Sequence, residues 1–181
     1  MRLFTAIKLP DDIIEVITVL QPEISRYLRV KDVKRENLHL TLKFLGEFDD
    51  ARLGDLIHSL SMVSLKPFKV ELAGLGCFPL CASPRIVWVG CVGGSGEVES
   101  LHAQIESATL GFGFSEDHRF HPHITLARVK SAFDLNGFRS FLGEHAGSGF
   151  GSFQVECFQL FKSTLSPNGP SYFVVEEYPL G

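Results

Sequence analysis

The sequence predicts an α+β fold made of two pseudo-symmetric βαβαβ lobes. The first observation is a repeated motif: LHLTL at 38–42 returns as PHITL at 122–126, so that a His-x-Thr pair recurs 84 positions later, from His39 to His123. The second is that the elements around the two motifs recur in the same order and at nearly the same offset. Such self-similarity indicates a duplicated structural unit.

Each repeat is predicted to run strand, helix, motif strand, helix, strand. Apolar residues spaced three and four apart mark the helices, and acidic residues stand where the helices open. The first repeat, at about 1–76, has strands from Arg2, around His39 and at 67–73, and helices that open at Asp11 and at Asp49 or Asp50. The second, at about 85–181, has strands from Arg85, around His123 and at 152–161, a closing strand at 171–178, and helices that open near Glu97 and Asp134.

Proline and glycine mark the boundaries between these elements. Pro22 is expected to end or kink the first helix, since proline cannot continue a hydrogen-bonded helix interior. The segment 77–84 is predicted to join the two lobes, and the turn 166–170 (SPNGP) precedes the closing strand. Together the two repeats form one bilobal domain over residues 1–181.

Composition and charge exclude several classes of protein. The chain has 181 residues, 45% of them hydrophobic, and a net charge of −4, which predicts a globular domain and argues against a protein that coats long nucleic acid. No apolar run reaches the roughly 18–20 residues of a membrane span. We therefore expect a cytoplasmic protein without a membrane partner, monomeric by default. The four cysteines, at 77, 81, 91 and 157, match no zinc spacing and are expected to be reduced, buried residues.

The pleat of the motif strands places the polar residues of each motif on one face. Residues i and i+2 share a face of a strand, so His39, Thr41 and Lys43 are predicted to lie opposite the apolar face of Leu38, Leu40, Leu42 and Phe44. In the second copy His123 and Thr125 lie opposite Ile124 and Leu126. If the lobes face each other, the two His-Thr pairs meet across a cleft.

Two imidazoles across a cleft suit acid–base chemistry on a phosphodiester. One can take a proton from water while the other donates a proton to a leaving oxygen, because the pKa of histidine lies near operating pH. Threonine can bind phosphate oxygens, and Arg128 or Lys43 can offset the developing negative charge. A single such histidine is more often structural, and the repetition favours the catalytic interpretation. His121 shares the face of His123 and is a candidate substrate contact.

The motifs and their flanks resemble a known family. ENLHLTLKFLG at 36–46 and PHITLARV at 122–129 are similar to the two-histidine (2H) phosphoesterase superfamily, and within it to the RNA 2′,3′-cyclic phosphodiesterases, also called 2′-5′ RNA ligases. The resemblance implies antiparallel sheets that flank a central cleft, with a site that needs no metal and no cofactor. It implies that His39 is the proton donor and His123 the proton acceptor, that Thr41, Thr125 and Arg128 bind the phosphate, and that the product is a 2′-phosphomonoester.

Arg128 conflicts with simple alternation. It has the parity of Ile124, so a regular strand would turn it away from His123, and the family role requires a bulge or a strand end that re-aims it. Other functions also stay open. The substrate could be another cyclic or 2′-5′ phosphodiester, the protein could bind RNA ends without turnover, and an ATP-independent ligation could run the same chemistry backwards. The expected partners are RNA ends or small nucleotides that carry a 2′,3′-cyclic phosphate.

Overall fold

A computed structural model describes residues 1–167 and 169–181, and within them it contains nine strands and five α-helices. The strands are β1 (Arg2–Lys8), β2 (Leu28–Asp32), β3 (His39–Glu47), β4 (Phe68–Leu80), β5 (Ser83–Gly93), β6 (His123–Ala132), β7 (Gly149–Val155), β8 (Cys157–Ser166) and β9 (Gly169–Pro179). The helices are α1 (Asp11–Thr18), α2 (Leu20–Ile24), α3 (Leu53–Leu60), α4 (Ser95–Thr109) and α5 (Leu135–Glu144). The predicted α+β class is confirmed. Asn168, part of the predicted turn, lies outside the described residues.

The strands form one antiparallel sheet in the order β7-β4-β5-β6-β3-β1-β8-β9, and β2 also pairs with β6. A five-stranded half (β7, β4, β5, β6 and β2) and a four-stranded half (β3, β1, β8 and β9) meet where β3 pairs with β6 through Leu40 and Ile124, both fully buried. The two motif strands are therefore neighbours at the centre of the sheet. The predicted sheets on either side of the cleft are thus continuous with each other at this one pair.

The segment 77–84, predicted as a joint between lobes, is instead the tip of the hairpin that β4 and β5 form. The prediction was wrong because a tight turn, with Leu80 opposite Ser83, keeps consecutive antiparallel strands paired. As a result β4 lies with β5 and β7, while β8 pairs with β1. The predicted strand at 152–161 is likewise two strands, β7 and β8, in opposite halves of the sheet. The division into two sequence repeats stays a prediction.

The hairpin tip also corrects the expectation for two cysteines. Cys77 and Cys81 form a disulfide, whereas Cys91 and Cys157 are free. The turn brings the two Cα atoms to 5.8 Å, within the usual range for a disulfide. Spacing alone did not reveal this proximity, because it depends on the turn.

The helices pack on one face of the sheet and enclose the main hydrophobic core. The helix is interrupted at Val19, between α1 and α2. Pro22 lies in the first turn of α2, where a backbone N–H would make no hydrogen bond within the helix, so a proline is tolerated there. On the other face of β1, Phe4 and Ala6 pack against Phe161 and Tyr172. Both faces of β1 are therefore covered. Among the described residues, no helix has the length and apolar character that crossing a bilayer requires.

Candidate active site

The two motif strands carry the same irregularity at corresponding positions. Opposite β1, Thr5 pairs with Lys43 and Ala6 with Thr41, so Leu42 is the extra residue of a bulge. Opposite β5, Val87 pairs with Ala127 and Trp88 with Thr125, so Leu126 is the extra residue there. The first six residues of β3 and β6 consequently share one burial pattern, in which the alternation reverses after the bulge.

The second bulge turns Arg128 toward the histidines. Ala127 is fully buried and Arg128 is exposed, the opposite of what strict alternation predicts from Ile124. The bulge that Arg128 requires is therefore present, and among the described residues Arg128 makes no ion pair. Its guanidinium is available for an anionic ligand.

The first bulge has the opposite consequence for Lys43. It turns Lys43 into the helical side, where only 3% of the residue is exposed and Nζ lies 2.5 Å from Glu106 and 2.9 Å from the carbonyl oxygen of Ser115. The prediction that Lys43 faces a substrate phosphate was wrong, since one extra residue reverses the face of every side chain after it. Phe44 takes the outward place and is 68% exposed.

Side chains from helices hold both bulges. The carbonyl oxygen of Leu42 accepts a hydrogen bond from Nδ1 of the buried His102 on α4, at 2.8 Å. The carbonyl oxygen of Leu126 accepts one from the Nε2 amide of Gln21 on α2, at 3.0 Å, and one from the backbone N–H of Val33, at 2.8 Å. These bonds satisfy carbonyls that leave the regular ladder, so each bulge is part of a defined packing arrangement.

A cavity of about 320 Å³ lies where the motif strands meet. All five residues predicted for the site line it, and the segment after β2 and the start of β9 complete its walls. The lining consists of Lys31, Asp32, Val33, Lys34, Asn37, His39, Thr41, Phe44, Phe78, Ile86, His123, Thr125, Arg128, Gly169, Pro170 and Tyr172. The structure thus brings together groups that lie 84 or more positions apart in the chain.

Each imidazole is oriented by a backbone carbonyl two residues before it. Nδ1 of His39 lies 2.8 Å from the carbonyl oxygen of Asn37, and Nδ1 of His123 lies 2.6 Å from that of His121. A carbonyl can only accept, so Nδ1 carries the proton in both rings and Nε2 holds the lone pair of the neutral form. The two rings are therefore held in the same tautomer.

Aromatic rings surround both imidazoles. The ring of His39 lies 5.0 Å from Phe4 and 5.4 Å from Tyr172, and the ring of His123 lies 5.1 Å from Phe78, centroid to centroid. The pKa of His39 is lowered to about 4, mainly by desolvation in this packing; the hydrogen bond to Asn37 opposes the shift, and the positive charge of Arg128, with that of His123 when it is protonated, adds to it. Desolvation also lowers the pKa of His123. The lowered pKa values favour the neutral form of both rings in the free protein.

The structure adds residues that the sequence analysis did not assign. Asn37 is buried, orients His39 through its carbonyl, and donates from its side-chain amide to the carbonyl oxygen of Pro170, at 2.9 Å. Its place two residues before the first motif histidine, matched by His121 before the second, is a signal that could have found it. Tyr172 gave no such signal, because its contact with His39 joins strands 133 residues apart.

The position of His121 and the distribution of metal-ligating side chains complete the description of the site. His121 packs its ring 5.1 Å from Trp88 and does not line the cavity. In the part of the chain that the structure describes, no three His, Cys, Asp or Glu side chains are grouped to hold a metal ion. Among the side chains that line the cavity, the five predicted ones supply two proton-transfer groups, two hydroxyls and one guanidinium.

Comparison with known proteins gives consistent matches over most of the chain. A family model described as the 2′-5′ RNA ligase superfamily matches residues 9–162. The RNA 2′,3′-cyclic phosphodiesterase of Methanocaldococcus jannaschii is 33% identical over 178 residues, 98% of this chain and 100% of that protein. The protein of the same name from Archaeoglobus fulgidus is 37% identical over 176 residues, 95% of this chain and 96% of that protein. E. coli LigT, in the crystal structure of its complex with 3′-AMP, has 27% sequence identity to this chain. The two structures match with a TM-score of 0.78 over 99% of this chain and 97% of that one.

Proposed function

The chain belongs to the 2′-5′ RNA ligase superfamily, and from this premise we propose that it hydrolyses the 2′,3′-cyclic phosphate at an RNA end to a 2′-phosphomonoester. The family model and the relatives confirm the resemblance that the two motifs predicted. The observation that carries the proposal is the pair of imidazoles in one cavity, each with Nδ1 fixed on a carbonyl so that Nε2 is the reactive nitrogen.

In the proposed reaction His123 acts as the general base. Its lowered pKa keeps it neutral at pH 7, which is the state that can accept a proton from water. The resulting hydroxide attacks phosphorus, the bond to the 3′ oxygen breaks, and His39 gives its proton to that oxygen. Thr41 and Thr125 donate hydrogen bonds to the phosphate oxygens, and Arg128 offsets the charge that develops on them.

The acid role requires that substrate binding protonates His39. In the free protein the pKa of His39 is about 4, so the ring is neutral at pH 7. A bound phosphodiester brings a negative charge into a largely desolvated cavity, and an opposite charge within a few ångströms raises the pKa of an imidazole. Substrate binding therefore favours protonation of His39, and His39 then gives this proton to the leaving 3′ oxygen. No residue in this sequence of steps needs a metal ion.

Turnover of a 2′,3′-cyclic nucleotide by single-site variants tests the proposal. His39→Ala and His123→Ala should each lower kcat by roughly 10²–10⁴, the usual contribution of one positioned proton-transfer group. Because both act in one step, the double variant should lose less than the product of the two single losses. His58→Ala, which removes an exposed imidazole outside the cavity, is the matched control and should retain wild-type turnover.

The product separates this function from its alternatives. Chromatography against authentic standards should show a 2′-phosphate, since the 3′ oxygen is the proposed leaving group. A 3′-phosphate, or wild-type rates in either motif variant, would contradict the assignment of the two histidines. Binding of RNA ends without any turnover by the wild type would support the non-catalytic alternative.

A further inference from the structure

A second cavity, of about 740 Å³, lies directly beside the active-site cavity. It is formed by the tip of the β4–β5 hairpin, the second half of β6 and the start of α5. Its lining consists of Ala82, Ser83, Pro84, Arg85, Ile86, Arg128, Val129, Lys130, Ser131, Ala132 and Leu135. Ile86 and Arg128 line both cavities, so the two are adjacent. We call it the β6 groove.

The β6 groove concentrates positive charge in a chain that is acidic overall. Arg85, Arg128 and Lys130 line it, all three are exposed, and its lining includes no Asp or Glu. None of the three takes part in the ion pairs found among the described residues. With a net charge of −4 over the chain, three unpaired cations along one groove indicate an anionic ligand.

The spacing of these cations suits a phosphodiester strand. Arg128 and Lys130 are two residues apart on β6, which corresponds to about 6–7 Å along a strand, close to one nucleotide step. Pro84, Ile86, Val129 and Leu135 supply apolar surface between and beside the charges. A ribose or a base can pack on such surface while the phosphates contact the cations.

The chemistry of the proposed substrate decides which way the strand runs. A 2′,3′-cyclic phosphate terminates an RNA, so the chain can leave the active-site cavity only in the 5′ direction. On the other side of β6, the segment 31–34 adds the carboxylate of Asp32 to its two lysines, and Lys34 lies 3.8 Å from Glu36. The β6 groove begins at Arg128, beside the reacting phosphate, and carries cations without partners.

From these observations we infer that the β6 groove is a subsite for the RNA strand on the 5′ side of the cyclic end, with Arg85 and Lys130 as its phosphate contacts. The inference rests on the proposed function and adds where the RNA lies. The subsite makes the enzyme prefer oligonucleotide ends over mononucleotides, through binding contacts that are remote from the reacting atoms.

Two substrates and three variants test the subsite. The substrates are a nucleoside 2′,3′-cyclic phosphate with a free 5′-OH and the dinucleotide that ends in the same nucleoside. Lys130→Gln and Arg85→Gln should each raise the KM of the dinucleotide about 5- to 10-fold, while kcat/KM for the mononucleotide changes less than about 2-fold, because contacts outside the reacting centre contribute binding. Lys66→Gln, which removes an exposed charge outside both cavities, should alter neither substrate.

Salt dependence gives a second, independent readout. In the wild type, the log–log salt slope of affinity should be steeper for the dinucleotide than for the mononucleotide by about 0.7, the value for one additional phosphate contact on a single strand. Lys130→Gln should remove most of that difference, and Lys66→Gln should preserve it.

The outcomes separate the subsite from the function on which it rests. Wild-type turnover of both substrates with equal losses, or no losses, in Lys130→Gln and Arg85→Gln would overturn the subsite and leave the hydrolase intact. Wild-type protein that turns over neither substrate would overturn the proposed function, and the subsite with it.

Discussion

Lowering the pH should destabilise this protein more than it would if all its histidines kept their ordinary pKa. His39 should account for much of the effect. In the folded protein the pKa of His39 is lowered from 6.5 to about 4, mainly by desolvation. Between these values the unfolded chain binds a proton that the folded chain does not. Stability is therefore fully present above about pH 6.5 and is lost as the pH falls through 6.5 toward 4.

The size of the loss follows from the shift. One pKa unit corresponds to 1.36 kcal/mol, so a fall from 6.5 to about 4 amounts to about 3 kcal/mol in the free energy of unfolding. Integrating the difference in bound protons from pH 7 to pH 5 places about 2 kcal/mol of it in that interval. This is a large part of the stability of a typical domain.

Urea unfolding at pH 7 and pH 5 measures this term. The wild type should lose about 2 kcal/mol more between the two pH values than His39→Gln, which cannot take up the proton. His58→Gln, at an exposed position, should follow the wild type. Any general cost of the substitution cancels, since only the change with pH is compared. Parallel losses in wild type and His39→Gln would refute the argument that burial keeps this ring neutral.

Further predictions concern the reaction and its supporting residues. Prolonged chelation should leave turnover of a 2′,3′-cyclic nucleotide unchanged, and a loss that Mg²⁺ or Zn²⁺ restores would contradict this. Arg128→Ala should lower kcat by about 10²–10³, as expected for loss of a charge-stabilising donor, and a change in KM alone would count against its role. Lys43→Met should leave KM unchanged but lower the urea midpoint, because it strands Glu106 without its partner; a raised KM would place Lys43 in the site. RNA halves paired on a splint, with 2′,3′-cyclic phosphate and 5′-OH ends, should join without ATP through a 2′-5′ linkage, and a 3′-5′ joint would exclude the shared mechanism.

The motif strands, most helices and the composition of the site could be predicted because they depend on local patterns. Period-two alternation placed His39 and Thr41 on one face, and the repeat at His123 identified the partner strand. The parity of Arg128, set against the role that the family resemblance implies, also required a bulge or a strand end before it. These inferences need only neighbours in sequence, where side-chain direction follows from backbone geometry.

The remaining features depend on tertiary contacts that no local pattern encodes. Lys43 lies on the helical side because Leu42 is an extra residue opposite β1, and His102, 60 residues away, bonds its carbonyl. Tyr172 reaches His39 only through the pairing of β9 with β8 and of β8 with β1. The strand at 152–161 appeared single because both β7 and β8 have the same apolar character, and only their partners separate them.

The pairing of β1 with β8 has a consequence for how the protein is made. Phe4 pairs with Phe161, and both lie within 6.5 Å of the ring of His39. At translation rates of about 5–20 residues per second, β1 leaves the ribosome on the order of ten seconds before the strand that covers it. During that interval the apolar residues of β1 and an unpaired edge are exposed, which favours chaperone binding and aggregation at this stage of synthesis. The packing around His39 that favours its neutral imidazole therefore forms only after the C-terminal strands have been synthesised.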